Sequence, residues 1–349
     1  MHEIWNDIEK WQHSGKLATL ATVVYVGGSS LRPAGSKMAI SSSGEISGSV
    51  TGGCVEGAVF EEARDVGKTG IPKLVSYGVS NEQAWEVGLS CGGSVRIFIE
   101  SMTSTPWKTI LPALTESITH NKAVAMATVT SGTGLGNKML IFKDGSQVGD
   151  LGETAQTDEV ASHINSNWSV RDAHEMTCQT KSGVSTVFVE FILPKPRLII
   201  VGASHIAIPL VTLAKALDFY TIVLDARSAF ATRERFPHAD ELIIDWPAET
   251  MQKLAPDAST CVVCLSHDDK LDNPALMEAL VSEARYIGAL GSKITHAKRL
   301  DALREEGATE EQLKRIHAPV GLKIGAKQPA EIALSIMAEI VAAQHGFAA

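Results

Sequence analysis

Residues 17–26 form an apolar, β-branched run that ends at Gly27-Gly28, the pattern of a buried strand entering a turn. Similar short runs at 37–40, 73–77 and 95–100 predict further strands, and the spacing of apolar positions predicts a helix over 55–66. A short amphipathic helix precedes them. A second β-rich stretch, 123–151, resembles the first: Ala21-Thr22-Val23 recurs as Ala127-Thr128-Val129, and Gly35-Ser36-Lys37-Met38 as Gly136-Asn137-Lys138-Met139. Either the segment is duplicated, or two hairpins share turn chemistry. No counterpart of Gly52-Gly53-Cys54 stands in the second stretch, so any chemistry of that loop belongs to the first.

Leu193-Pro194-Lys195-Pro196 breaks the pattern, because two prolines in three residues continue neither a helix nor a central strand. Beyond it, apolar runs at 197–201, 220–224, 241–244, 261–265 and 286–289 alternate with helical stretches. That alternation predicts a doubly wound parallel sheet. The last segment, 329–343, starts with Pro329 and carries Ile332, Ile336, Ile340 and Val341 on one face, the mark of a closing helix. The expected architecture is α/β: an N-terminal α+β domain of short strands over residues 1–193, and a C-terminal Rossmann-like domain over 197–349.

A composition of 44% hydrophobic and 20% charged residues falls within ordinary globular usage and sets aside disorder. The formal net charge of -9 argues against a broad nucleic-acid or anionic-membrane surface. The N-terminus lacks the basic start and apolar core of a secretory signal, and no run is long and apolar enough to span a bilayer. Five cysteines, an odd number, do not suggest a disulfide framework. A cytoplasmic protein is expected.

Two regions carry candidate chemistry. In the first, the glycine-rich stretch Gly48-Ser-Val-Thr-Gly-Gly-Cys-Val-Glu56 runs into a helix, so Gly52 and Gly53 place the Cys54 thiol at a helix N-terminus. The backbone N–H groups and the helix dipole there favour a thiolate, a nucleophile or soft metal ligand, and the same loop could cradle a phosphate. Cys91, followed by Gly92-Gly93, presents a second thiol in a permissive loop. Glu56 reads as a dipole partner or a proton acceptor, and Arg32 and Lys37 as sources of positive charge for the pocket. Each of these has a plain alternative as a core or turn residue.

The second region is the set of strand ends in the Rossmann domain: Gly202, Ser204 and His205 after the first strand, Asp225 and Arg227 after the second, His267 and Asp268 after the fourth, and Ser292 after the fifth. Asp225 suits a ribose hydroxyl, whereas Arg227 suits a phosphate. Ser204 stands where a dinucleotide fingerprint has its second glycine, which favours the fold over the cofactor. Cys261 and Cys264 form a C-x-x-C pattern inside a strand. There they point to opposite faces and read as core.

The stretch from Gly27 to Met38, Gly48 to Glu56 and Cys91-Gly92-Gly93 closely resembles the N-terminal domain of the xanthine dehydrogenase accessory proteins, the XdhC/CoxI family. Tyr286-Ile-Gly-Ala-Leu-Gly-Ser-Lys293 and His317-Ala-Pro-Val-Gly-Leu-Lys-Ile-Gly-Ala326 resemble that family's Rossmann domain. The resemblance covers 17–100 and 197–343. It implies a chaperone rather than an enzyme, one that binds molybdenum cofactor in pterin or dinucleotide form, protects it during sulfuration and inserts it into a molybdenum hydroxylase. Cys54 and then Cys91 would be the molybdenum contacts. The implied partners are a cysteine desulfurase, a cofactor nucleotidyltransferase, a second copy of the chain in a homodimer and the molybdenum hydroxylase large subunit. A nucleotide at the Rossmann strand ends is a further expectation. The alternatives are an NAD(P)-dependent oxidoreductase and a sulfurtransferase carrying a persulfide on Cys54.

Overall fold

A computed structural model describes residues 1–28, 32–53, 55–78, 93–168, 172–181 and 183–347. The chain divides into two compact units, Met1–Pro194 and Lys195–Ala349.

The first unit is built twice from one plan. α1 (His2–His13) is followed by β1 (Ala18–Gly27), β2 (Lys37–Ser41), β3 (Ile46–Gly48), α2 (Glu56–Thr69), β4 (Lys73–Tyr77) and β5 (Ser94–Ser101). The succession then recurs as α3 (Thr105–Thr119), β6 (Val124–Ser131), β7 (Lys138–Phe142), β8 (Gln147–Asp150), α4 (Thr154–Ser166), β9 (His174–Thr180) and β10 (Gly183–Ile192). The two sheets have the same order, β3-β2-β1-β5-β4 and β8-β7-β6-β10-β9, and every described pairing in them is antiparallel. The short sequence echo thus extends to the whole topology. Even the tight turns match. Gly48 and Gly149 both have positive φ, and a side chain on either would lie 2.3 Å from the carbonyl oxygen of Lys37 or Lys138.

Period-two alternation explains why β1 and β6 read as continuous apolar runs: both faces of each sheet are covered. Ala18 and Leu20 face a core shared by α1, α3 and both sheets, whereas Ala21 and Val23 face α2. Val124 and Met126 join the shared core, and Ala125, Ala127 and Val129 face α4. α2 runs past its expected end to Thr69, where Gly70 closes it in the left-handed conformation at φ 69°.

Two buried ion pairs cross between the halves. Lys37 Nζ bonds Glu190 at 2.8 Å and Thr22 at 3.2 Å, while Lys138 Nζ bonds Glu100 at 2.7 Å and Thr128 at 2.8 Å. Each lysine takes its carboxylate from the other half. Burial, only partly offset by Lys138, raises the Glu100 pKa; burial likewise lowers that of Lys138.

The second unit contains β11 (Arg197–Val201), α5 (Ala207–Ala216), β12 (Tyr220–Leu224), β13 (Glu241–Ile243), α6 (Pro247–Leu254), β14 (Thr260–Cys264), α7 (Asp269–Val281), β15 (Tyr286–Ala289), α8 (Lys293–Glu305), α9 (Glu310–Leu313), β16 (Ile316–His317) and α10 (Pro329–Gln344). Its six strands are parallel in the order β13-β12-β11-β14-β15-β16, the doubly wound arrangement expected from the alternating runs. Cys261 and Cys264 lie in the cores on opposite faces of this sheet. Among the described residues, no helix is long and apolar enough to cross a membrane.

Candidate functional site

The two halves of the first unit differ most at one end of the first sheet. Thr22 bonds Lys37 across a sequence separation of 15, but its counterpart Thr128 bonds Lys138 across 10, so the turn after β1 is longer than the turn after β6. Tyr77 meets Val95 after a long excursion, whereas Cys178 meets Ser185 in a short hairpin. α4 begins at Thr154, the position that matches Gly53, but α2 begins three places later at Glu56, after the glycine-rich stretch that holds Cys54 in sequence. These three departures bear Arg32, Cys54 and Cys91. The register Gly27↔Ser94, Tyr77↔Val95 and Met38↔Gly48 brings their roots to the same end of the sheet.

Glu56 organises the loop. Its Oε1 accepts from Ser49 Oγ (2.7 Å) and from the N–H groups of Val50 (3.2 Å), Thr51 (2.8 Å) and Gly52 (2.9 Å). Its Oε2 accepts from Thr51 Oγ1 (2.7 Å), Gly53 N–H (2.8 Å) and Val55 N–H (3.2 Å). Burial works against this charge, but the hydrogen bonds from Ser49 and Thr51 outweigh it and lower the pKa to about 2. Two readings change. Glu56 is a fixed anion at neutral pH rather than a proton acceptor, and the N–H groups that could have cradled a phosphate already hold a carboxylate.

Cys54 and Cys91 lie outside the described residues, as does the proposed thiol contact to molybdenum. Just before Cys54 in sequence, Gly52 (φ 86°) and Gly53 (φ 123°) adopt backbone shapes that favour glycine. Among the described residues, none beyond its chain neighbours lies within 4 Å of a side chain placed at Gly53. Arg32 stands at the loop, donating through Nε to the Ser49 carbonyl at 3.3 Å and through its guanidinium to Glu3 at 2.9 Å. Lys37 does not join it. Only 3% exposed, it serves the crossed pair with Glu190, which corrects its reading as a pocket cation. Sequence reasoning also missed Ser49 and Thr51, whose hydroxyls complete the tie. Among the described residues, no cluster of three or more His, Cys, Asp or Glu could hold a metal.

At the Rossmann strand ends, Asp225 is fully buried and saturated. It accepts from Ala203 N–H (2.7 Å), Arg227 N–H (2.9 Å) and Arg227 Nε and Nη2 (2.9 and 2.8 Å). Despite burial, these bonds lower its pKa. The carboxylate read as a ribose acceptor is therefore bound to the guanidinium read as a phosphate holder, and Arg227 also stacks on Phe230 at 4.5 Å. Gly202 (φ 104°) leaves no room for a side chain, which would lie 2.5 Å from Ser266 N. Ser204 Oγ is buried with no hydrogen-bond partner. His205 and His267 are exposed. Asp268 caps α7 through Lys270 N–H at 3.0 Å, and Ser292 caps α8 through Thr295 N–H at 3.1 Å. The buried group that the sequence reading overlooked is Asp272, which bonds Ser266 Oγ at 2.6 Å and Arg299 at 3.4 Å.

The molecule thus combines a duplicated α+β unit, with a carboxylate-tied glycine loop, and a Rossmann unit whose acidic residue is internally satisfied. The model described as the XdhC Rossmann domain matches residues 198–340, and that described as the XdhC and CoxI family matches 11–78. The chain belongs to the XdhC and CoxI family. It is 29% identical over 326 residues to a probable xanthine dehydrogenase subunit from Bacillus subtilis (strain 168), with 93% of this chain and 92% of that protein covered. It is 27% identical over 331 residues to the molybdenum cofactor insertion chaperone PaoD of Escherichia coli (strain K12), covering 94% and 83%. A crystal structure described as a xanthine dehydrogenase from Bacillus halodurans superposes with a TM-score of 0.80 at 28% identity, over 99% of this chain and 96% of that one.

Proposed function

We propose that this chain binds molybdenum cofactor at the loop-bearing end of the first sheet and hands it to a molybdenum hydroxylase. The observation that carries this reading is the convergence, at one sheet end, of three departures from an otherwise repeated scaffold. Loops that differ from their own copy, rather than the scaffold, are where a ligand would be accommodated. The likeness to a named insertion chaperone supplies the cargo.

In this reading the Glu56 tie holds the loop in one shape, and no described residue blocks a group placed beside Gly53. Cys54 and Cys91 supply soft sulfur donors suited to a molybdenum centre. Arg32 supplies positive charge at the mouth for the pterin phosphate, a task the Glu56-filled nest does not perform. Protection of the cargo during sulfuration by a cysteine desulfurase, receipt from a nucleotidyltransferase, a cytoplasmic setting and a homodimeric form belong to the same proposal. So does docking of a nucleotide portion of the cargo at the Rossmann strand ends. The oxidoreductase alternative gains nothing from the geometry, because Asp225 has no oxygen left for a ribose diol.

Delivery is tested by incubating cofactor-loaded protein with an apo-hydroxylase under anaerobic conditions and following recovered hydroxylase activity. Loaded wild type is expected to restore activity above that given by free cofactor, and the Cys54→Ser variant to restore none beyond it. Equal recovery with and without the protein would overturn the proposal.

A further inference from the structure

A cavity of about 390 Å³ opens beneath the last two turns of α2, in the size range of small-molecule sites. It lies at the opposite end of that helix from Glu56 and is separate from the loop site. Its walls include Ile40, Phe60 and Ala63 from the core and Thr19 and Ser101 from the adjacent strands. Arg64 and Lys68 stand at its mouth, their side chains 50% and 68% exposed.

The duplicated scaffold explains the opening. Thr19 pairs with Ser101 on the first sheet, and at the matching place on the second sheet Ala125 pairs with Phe191. Gly67 on α2 corresponds in sequence spacing to Trp168, just beyond α4, and Ala63 to Ile164. In the second half, Trp168 packs edge-to-face on Phe191 with ring centres 5.4 Å apart, and with Ile164 it closes the core. The first half has a glycine, a serine and an alanine at those places. Gly67 also fits its own surroundings, because a side chain there would lie 2.9 Å from Thr19 Oγ1. The space that one half fills with two aromatic rings is left open in the other, and Phe60 replaces Ala161 to give it an aromatic wall.

We propose that this cavity binds a flat aromatic ring carrying a negatively charged group. The ring would occupy the volume that Trp168 and Phe191 occupy in the second half, against Phe60 and Ile40. The hydroxyl of Thr19 offers a hydrogen bond to a ring heteroatom, whereas that of Ser101 is shared with Thr103 Oγ1 at 2.8 Å. Arg64 Cζ, 6.0 Å from the centre of the Phe60 ring, and Lys68 would meet the charge. Their existing partners, Glu61 at 3.2 Å and Asp65 at 3.8 Å, are exposed pairs on the same helix and compete weakly.

The test uses the full chain and indole-3-acetate as probe, with indole and acetate as controls, by titration calorimetry and saturation-transfer NMR up to about 5 mM, which reaches affinities near 1 mM. The expected result is saturable binding of indole-3-acetate at least about tenfold tighter than either control. Ser101→Phe, which restores the ring of the second half, is expected to weaken it at least about tenfold. Since that core substitution could disturb folding, the exposed change Lys68→Glu is measured beside it, with circular dichroism on both. It is expected to weaken indole-3-acetate severalfold and leave indole unchanged. No saturable binding by wild type, or binding unaffected by both substitutions, would overturn the proposal.

Discussion

The two halves of the first unit share strand order, glycine turns and a buried lysine, yet only one departs from the common plan at its loop end. In the first half, the N–H groups before α2 converge on the Glu56 carboxylate. In the second, Thr157 takes the equivalent place and accepts a single bond from Leu151 N–H at 3.2 Å. The surface pair Glu62–Lys73 of the first half (2.5 Å) is matched by His163 and His174 in the second, whose Nε2 atoms lie 2.9 Å apart. One scaffold thus serves two fates. In the second half it packs itself shut, and in the first it carries longer connecting segments and an open cavity. The crossed lysine–glutamate pairs bind each fate to the other, because neither half satisfies its own buried charge.

The largest effect is expected from breaking that dependence. Lys138→Ala leaves Glu100 buried without its partner and is expected to cost about 3–5 kcal/mol, read from denaturant unfolding. Replacing both residues by apolar ones of similar size should cost less than the single change. A single substitution that leaves stability untouched would mean that the halves do not lean on each other.

Glu56→Ala is expected to cost about 1–3 kcal/mol, because seven hydrogen bonds lose their acceptor while water reaches part of the loop. Since folding lowers the Glu56 pKa from 4.5 to about 2, its contribution is complete above the unfolded value and is lost as pH falls toward 2. The stability difference between wild type and Glu56→Gln should therefore shrink between pH 5 and pH 2, as urea unfolding at each pH would record. A constant difference would remove the carboxylate from the account. In the second half, Thr157→Val is expected to cost only about 0.5–1.5 kcal/mol, one hydrogen bond's worth. The exposed change Lys73→Ala is expected to cost at most about 1 kcal/mol, and that cost should vanish in high salt.

Elements with local signals were legible from sequence. The alternating runs of the Rossmann unit and Pro329 at the start of α10 needed nothing beyond neighbouring residues. So did the glycines of the 48–56 loop. Roles set by distant partners were not legible. Lys37 meets a carboxylate 153 residues away, so nothing near it in sequence announces that it is buried. Glu56 looked like a chemical group because its position at a helix start is also where an acid favours the dipole. That it instead collects the loop's N–H groups depends on the positive φ of Gly52 and Gly53, a matter of backbone shape. Asp225 and Arg227 gave contradictory signals for a ligand, and the contradiction dissolves once they are seen to bind each other. The duplication left few identical residues and became clear only as shared topology.

The central claim is that the first half's loops hold molybdenum cofactor. Its most direct test is anaerobic binding of the cofactor to folded wild type, to Cys54→Ser and to Cys91→Ser, measured as cofactor retained per chain after gel filtration. The expected result is near-stoichiometric retention by wild type, lost in Cys54→Ser. No retention by wild type, or equal retention by wild type and both variants, would contradict it.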